Sequence, residues 1–194
     1  MFKITLFSIC FLLFASDALA GGWGLDTKSS AVTFVSIKKS SVAEVHHFEH
    51  LRGAVDDHGQ VRIEIALASV ETYIPIRNSR MKDLLFEVAR FPKASISAKL
   101  DPRQLTDLKV GQRVVFSTVL ALELHGKRHD ISGDVSLVKL ADGSLMASSA
   151  NPIIVNASDF DLVDGIERLR DVAKLPRIAT AVPVTFRLTF IPVQ

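Results

Sequence analysis

Three histidines, His46, His47 and His50, crowd one short segment, and closely spaced imidazoles are common building blocks of metal sites. The surrounding alternation reads as a strand. On a strand His46 and His50 would share a face while His47 points away, and residues four apart are separated by about 13 Å, too far to hold one ion between them. His125 and His129 flank a hairpin turn, and two ligands do not make a site. Asp159, Asp161 and Asp164 are spaced almost as in a calcium loop, but the register is off by one residue and no glutamate stands at the bidentate position. Asp164 and Glu167 have capping-box spacing, which predicts that Asp164 caps a helix while Asp159 and Asp161 face water.

The chain has no Gly-x-Ser-x-Gly, phosphate loop or dinucleotide fingerprint, and no serine, histidine and aspartate fall in an arrangement assignable to a nucleophile. Catalysis has no visible carrier. The expectation is therefore a non-enzymatic protein with no cofactor and no metal. A histidine-based metal-binding or enzymatic protein is the alternative, and it rests on the His46 cluster.

Composition narrows the class further. With 48% hydrophobic and 23% charged residues, the 194-residue chain has the balance of a globular protein, not of a disordered or fibrous one. Lys+Arg 23 against Asp+Glu 21 gives a net charge of +2 without a single-sign block, so no nucleic-acid partner is expected. Met1-Phe2-Lys3, the apolar run Ile4 to Phe14 and Ala18-Leu19-Ala20 form the basic, apolar and small-residue regions of a cleaved secretory signal peptide. Asp17 interrupts that run short of the roughly 20 residues a membrane span needs. Residues 1–20 are thus read as a leader and 21–194 as one domain. Cys10, the only cysteine, would leave with the leader, which removes disulfides and thiolate chemistry from the mature chain.

The elements that must position the remaining side chains are mostly strands. Val61, Ile63, Ile65 and Leu67 alternate with Arg62, Glu64 and Ala66, and similar runs recur around Ile96, from Arg113 to Leu124, and from Val182 to Phe190. Turn residues such as Asp56-Asp57-His58-Gly59 and His125-Gly126 separate the runs, so neighbours should be antiparallel hairpins. The expected strands are 31–38, 42–50, 52–56, 60–71, 94–101, 112–125, 129–140 and 145–155, with a closing strand near 178–192 that pairs with the first. Met81, Leu84, Leu85 and Val88 have helical spacing, predicting a helix from Asn78 to Arg90, and a second helix is expected over 165–174 before Pro176. The fold class is all-β: an antiparallel, lipocalin-like barrel of about eight strands with two short covering helices.

Such a barrel is either filled by its side chains or wide enough for one ligand. The expected inward residues are Phe34, Phe48, Phe116, Leu120, Phe186 and Phe190, with Met81, Leu84 and Leu85 over a mouth. Sheltering an amphiphile is worth about 0.8 kcal/mol per methylene, so ten of them offer a gross ~8 kcal/mol. The rival is a filled barrel serving as a stress-related interaction module.

Several segments resemble the YceI-like family of secreted bacterial proteins. They are Trp23-Gly24-Leu25-Asp26, Ser30-Ala31-Val32-Thr33-Phe34, Phe48 to Gly53, Val70-Glu71-Thr72, Arg77-Asn78-Ser79-Arg80-Met81, Leu84-Leu85-Phe86, Phe91-Pro92, Leu124-His125-Gly126-Lys127 and Gly133-Asp134-Val135. The resemblance covers nearly the whole chain beyond the leader. It implies the barrel with helical covers, export to the periplasm, and a lumen that in some members holds a polyisoprenoid. By position it makes the inward apolar residues the tail contacts and Arg77, Arg80 and His125 the head-group candidates. Arg80-Met81-Lys82-Asp83 departs from the His-Leu-Arg-Ser of many relatives, and the second helix belongs to a subset only. The resulting expectation is a periplasmic binding protein and carrier for an isoprenoid lipid or quinone-like amphiphile. It would have no stable membrane span, and a homodimer is compatible with the sequence but not required by it.

Overall fold

A computed structural model describes residues 22–193. The expected leader, its cleavage site and Cys10 lie outside the described residues. Strand β1 (Gly22–Leu25) runs on into β2 (Ala31–Lys38), β3 (Val42–Phe48) into β4 (Leu51–Asp56), and β5 (Gln60–Ala66) into β6 (Val70–Glu71). Strands β7 (Lys93–Lys99), β8 (Arg113–Leu124) and β9 (Lys127–Lys139) are continuous, β10 (Leu145–Ser149) runs on into β11 (Ile153–Asn156), and β12 (Ala181–Val193) comes last.

Each run-on pair is one bent stave, because both halves hydrogen-bond to the same neighbouring stave. Val32 opposes Phe48 just as Gly24 opposes Ala54, and Phe48 opposes Val70 just as Leu51 opposes Ile65. Eight staves result, and consecutive staves are antiparallel neighbours. The ring closes where β12 pairs with β1 through Leu25 and Phe190, and with β2 through Phe34 and Val184. Full closure leaves the ring without free outer strands.

Local sequence explains the joints. The β8–β9 turn contains only His125 and Gly126, both with positive φ (53° and 75°), the geometry that matches the twist of a two-residue hairpin. That tight turn starts β9 at Lys127, two residues earlier than the sequence reading placed it. At the β4–β5 turn the Asp56 carboxylate accepts hydrogen bonds from the backbone N–H groups of His58 and Gln60. Gly59 has φ +77°, and a Cβ there would lie 2.3 Å from the Leu100 carbonyl. Strand β1 was not anticipated, since Gly22-Trp23-Gly24-Leu25 has too few apolar residues to show alternation.

Both expected covering helices lie at one end of the barrel, where chain segments 72–92 and 157–180 connect the staves. The first begins earlier than expected: α1 (Pro75–Arg80) starts with proline in its first turn and passes into a π-helical turn over Met81–Leu85. Three more short helical pieces went unforeseen: a 3-10 turn over Leu67–Ser69 that interrupts the strand expected over 60–71, α2 (Arg103–Thr106) at the opposite end, and a 3-10 turn over Ala157–Phe160. The second cover is α3 (Val163–Val172). The capping-box expectation does not hold there. The cap position is Leu162, no side-chain cap bond forms, and Asp164 lies exposed in the first turn, where it complements the helix dipole.

Helix α3 meets the π turn closely because Gly165 has no side chain. A Cβ on Gly165 would stand 2.8 Å from the Leu84 carbonyl oxygen and 3.0 Å from Leu85 Cα. No helix among the described residues is long and apolar enough to cross a membrane.

Candidate functional site

Alternation along every stave sends one set of side chains inward, and in the middle of the barrel these do not meet. They border a cavity of about 230 Å³. Since a water's share of liquid volume is about 30 Å³, the void accommodates about eight water-sized or methylene-sized groups. Of the 34 residues lining it, Thr118 alone is polar. A cavity of that character stays dry when empty and gains by receiving apolar matter.

Six of the expected inward residues border the void: Phe34, Phe48, Leu85, Leu120, Phe186 and Phe190. Three do not. Phe116 faces inward too near the far end of the barrel and borders a shallow surface groove against α2. The π turn sets the Leu84 backbone carbonyl against Gly165 of α3, and Met81 is buried at the junction of α1 with that turn. The sequence reading missed Phe86 and Ile166, which cover the helical end, and Leu105, which α2 inserts at the other end. The signal for Leu105 was absent, because a four-residue helix has no readable period.

A polar cluster sits behind the aromatic wall at the helical end. The Phe34 ring lies against Phe48 on one side and against His46 on the other, with centroids 5.4 and 5.2 Å apart. His46 is 1% exposed; its Nε2 lies 2.8 Å from the Ser36 hydroxyl, and its Nδ1 has no partner. Burial first, and then the neighbouring Arg77 charge, push this imidazole down to about 4 against the pull of Glu44. His46 is neutral at physiological pH. Arg77 donates to the Glu44 carboxylate (2.8 Å) and to the Thr72 carbonyl (2.6 Å), while its buried Nε–H has no acceptor. Lys38 also pairs with Glu44, at 2.7 Å, and holds that carboxyl below its usual range.

The other head-group candidates lie at the same end but in different surroundings. His125 Nδ1 is 3.2 Å from the Phe160 carbonyl, which assigns the proton to that nitrogen, and the ring lies tilted against Phe91 with centroids 4.3 Å apart. Its Nε2 is buried and unpartnered. Arg80 is half-buried on α1.

The histidine trio is dispersed. His46 points inward, His47 points outward onto Tyr73, and His50 follows the end of β3, its backbone N–H bonded to Ser69. Asp161 pairs with Lys127 at 2.9 Å, and Asp164 lies exposed in the first turn of α3. Among the described residues no group of three or more His, Cys, Asp or Glu is placed to hold a metal ion.

A closed antiparallel barrel around a dry apolar void is the architecture of lipocalin-like binding proteins. The family model of the YceI-like domain matches residues 23–190, and the chain belongs to that family. A solved polyisoprenoid-binding domain from Saccharophagus degradans, implicated in plant cell wall breakdown, is 36% identical. The match covers 87% of this chain and 97% of that one, with a TM-score of 0.85. Burkholderia cenocepacia BcnA matches at 16% identity over 85% of this chain and 98% of its own, with a TM-score of 0.67. A Campylobacter jejuni YceI protein matches at 15% identity over 77% and 84%, with a TM-score of 0.55. At those lower identities the likeness is one of fold. No curated protein matches the chain.

Proposed function

We propose that this chain is a non-enzymatic carrier in the periplasm that holds the tail of an isoprenoid lipid or quinone-like amphiphile in the barrel lumen. The observation that carries the proposal is the lining, apolar at every position except Thr118 and free of titratable groups. Such a site has no acid, base or nucleophile to act on a substrate and can only shelter one. A void of this kind also speaks against the filled-barrel module. Each isoprene unit has five carbons, and at about 0.8 kcal/mol per carbon its burial offers a gross ~4 kcal/mol. The polyisoprenoid-binding Saccharophagus domain supports the same choice of cargo, and the basic, apolar and small-residue regions of residues 1–20 support export. Arg77, Arg80 and His125, at the helical end, would meet the polar head.

Native mass spectrometry and lipid extraction of protein purified from its own periplasm provide the test. The expected result is a long-chain prenol, prenyl phosphate or quinone at one per chain. Empty protein that also takes up none of these in a binding assay overturns the proposal. Leu120→Asp places a carboxylate in the lumen and should abolish uptake, with folding checked by circular dichroism.

A further inference from the structure

Four of the exposed large apolar residues belong to one corner of the helical end: Val45, Tyr73, Ile74 and Ile76. The outer face of the β2–β3 hairpin ought to be polar, because its inner face already supplies Phe34, His46 and Phe48 to the barrel. It is not polar. Val35 opposes Val45 and Ile37 opposes Ala43, and Tyr73 extends the strip by lying over His47 at 5.6 Å. Tyr73 is 76% exposed and holds φ at +62°, a strained conformation for a bulky residue. Backbone and side-chain bonds fix it there: its N–H donates to the Glu71 carboxylate, and neighbouring Thr72 is tied to Asn78 at 2.6 Å.

Charge on the same elements leans positive. Glu44 is already bound by Lys38 and Arg77, and Glu71 by Asn78, whereas Lys39, Arg80 and Lys82 have no ion pair or side-chain hydrogen bond among the described residues. Glu71, whose partner is a neutral amide, and Asp83 are the opposing charges left, so these elements carry five cations against three carboxylates. The whole-chain charge of +2 predicts no such asymmetry.

We propose that this corner, the outer face of the β2–β3 hairpin together with the Tyr73–Ile76 segment, is a docking face for an anionic lipid bilayer. Exposed Tyr and Ile beside unpaired Lys and Arg are the side chains that settle at a membrane–water interface, the apolar ones among the acyl carbons and the cations on phosphates. Position agrees with chemistry. Ile76 belongs to α1, which runs directly into the π turn carrying Leu85, a residue that covers the lumen. Docking through α1 sets the cover of the void against the membrane.

Sedimentation of the purified protein with large vesicles tests this. Vesicles rich in phosphatidylglycerol should bring the protein down, pure phosphatidylcholine should not, and high salt should release it. Both Tyr73→Ser/Ile76→Ser and Lys39→Glu/Lys82→Glu should weaken vesicle binding by about tenfold or more. Uptake of a prenol from detergent should be unchanged in both, so the docking face and the carrier reading fail separately. If the first variant loses its far-UV spectrum, the charge variant decides alone. Wild-type protein left in the supernatant, or variants that sediment like wild type, overturns the proposal. So does a wild-type dimer that Tyr73→Ser/Ile76→Ser splits without affecting vesicle binding, since a second copy then covers the face.

Discussion

His46 shows what a single residue can conceal. Its imidazole is neutral in the fold, held at about 4 by burial and by Arg77, and titrates near 6.5 once unfolded. Between those values the unfolded chain binds a proton that the folded chain refuses, so stability falls as pH drops through that window and is flat above it. The loss should approach roughly 3 kcal/mol over the full window. Urea midpoints measured from neutral pH down to about 4 should show this decline, and His46→Leu should remove most of it. The residue type was legible in the sequence, and so was the separation of His46 from His47. Its burial was not, because Phe34, Ser36 and Arg77 come from other segments and only the assembled hairpin and α1 bring them together.

Among the elements, the long strands were readable and the interruptions were not. The staves at 113–124 and 181–193 announce themselves by long runs of apolar residues at every second position, whereas β1 has two glycines in four residues. Helical spacing at Met81, Leu84, Leu85 and Val88 located a cover but not its π turn, which rotates Leu84 away from the void while Leu85 faces it. The π turn packs closely on α3, and that contact depends on Gly165. Gly165→Ala forces a methyl against the Leu84 carbonyl, and the backbone cannot yield as a flexible side chain would. The substitution should cost about 1–3 kcal/mol in chemical denaturation and loosen the cover without altering the staves.

For the whole molecule, the decisive property is that the interior is not full. The sequence could not settle this, because the same alternation serves a filled barrel and a hollow one; the volume is set by stave number and tilt. An unfilled apolar interior forgoes dispersion contacts that a guest would restore. Delipidated protein should therefore melt lower than loaded protein. Prenol at about a hundred times its Kd should add about 2.7 kcal/mol, or roughly 5–10 °C in a thermal scan. An unchanged midpoint would mean that the added lipid is not inside.

The order of the staves carries a temporal consequence. Seven of the eight seams join segments that follow each other along the chain and can zip as synthesis proceeds. The eighth waits until Phe190 finds Leu25, so a nascent chain presents two raw rims for nearly its entire production. Whatever shields newborn copies from clumping has to act in that interval, before the hoop snaps shut.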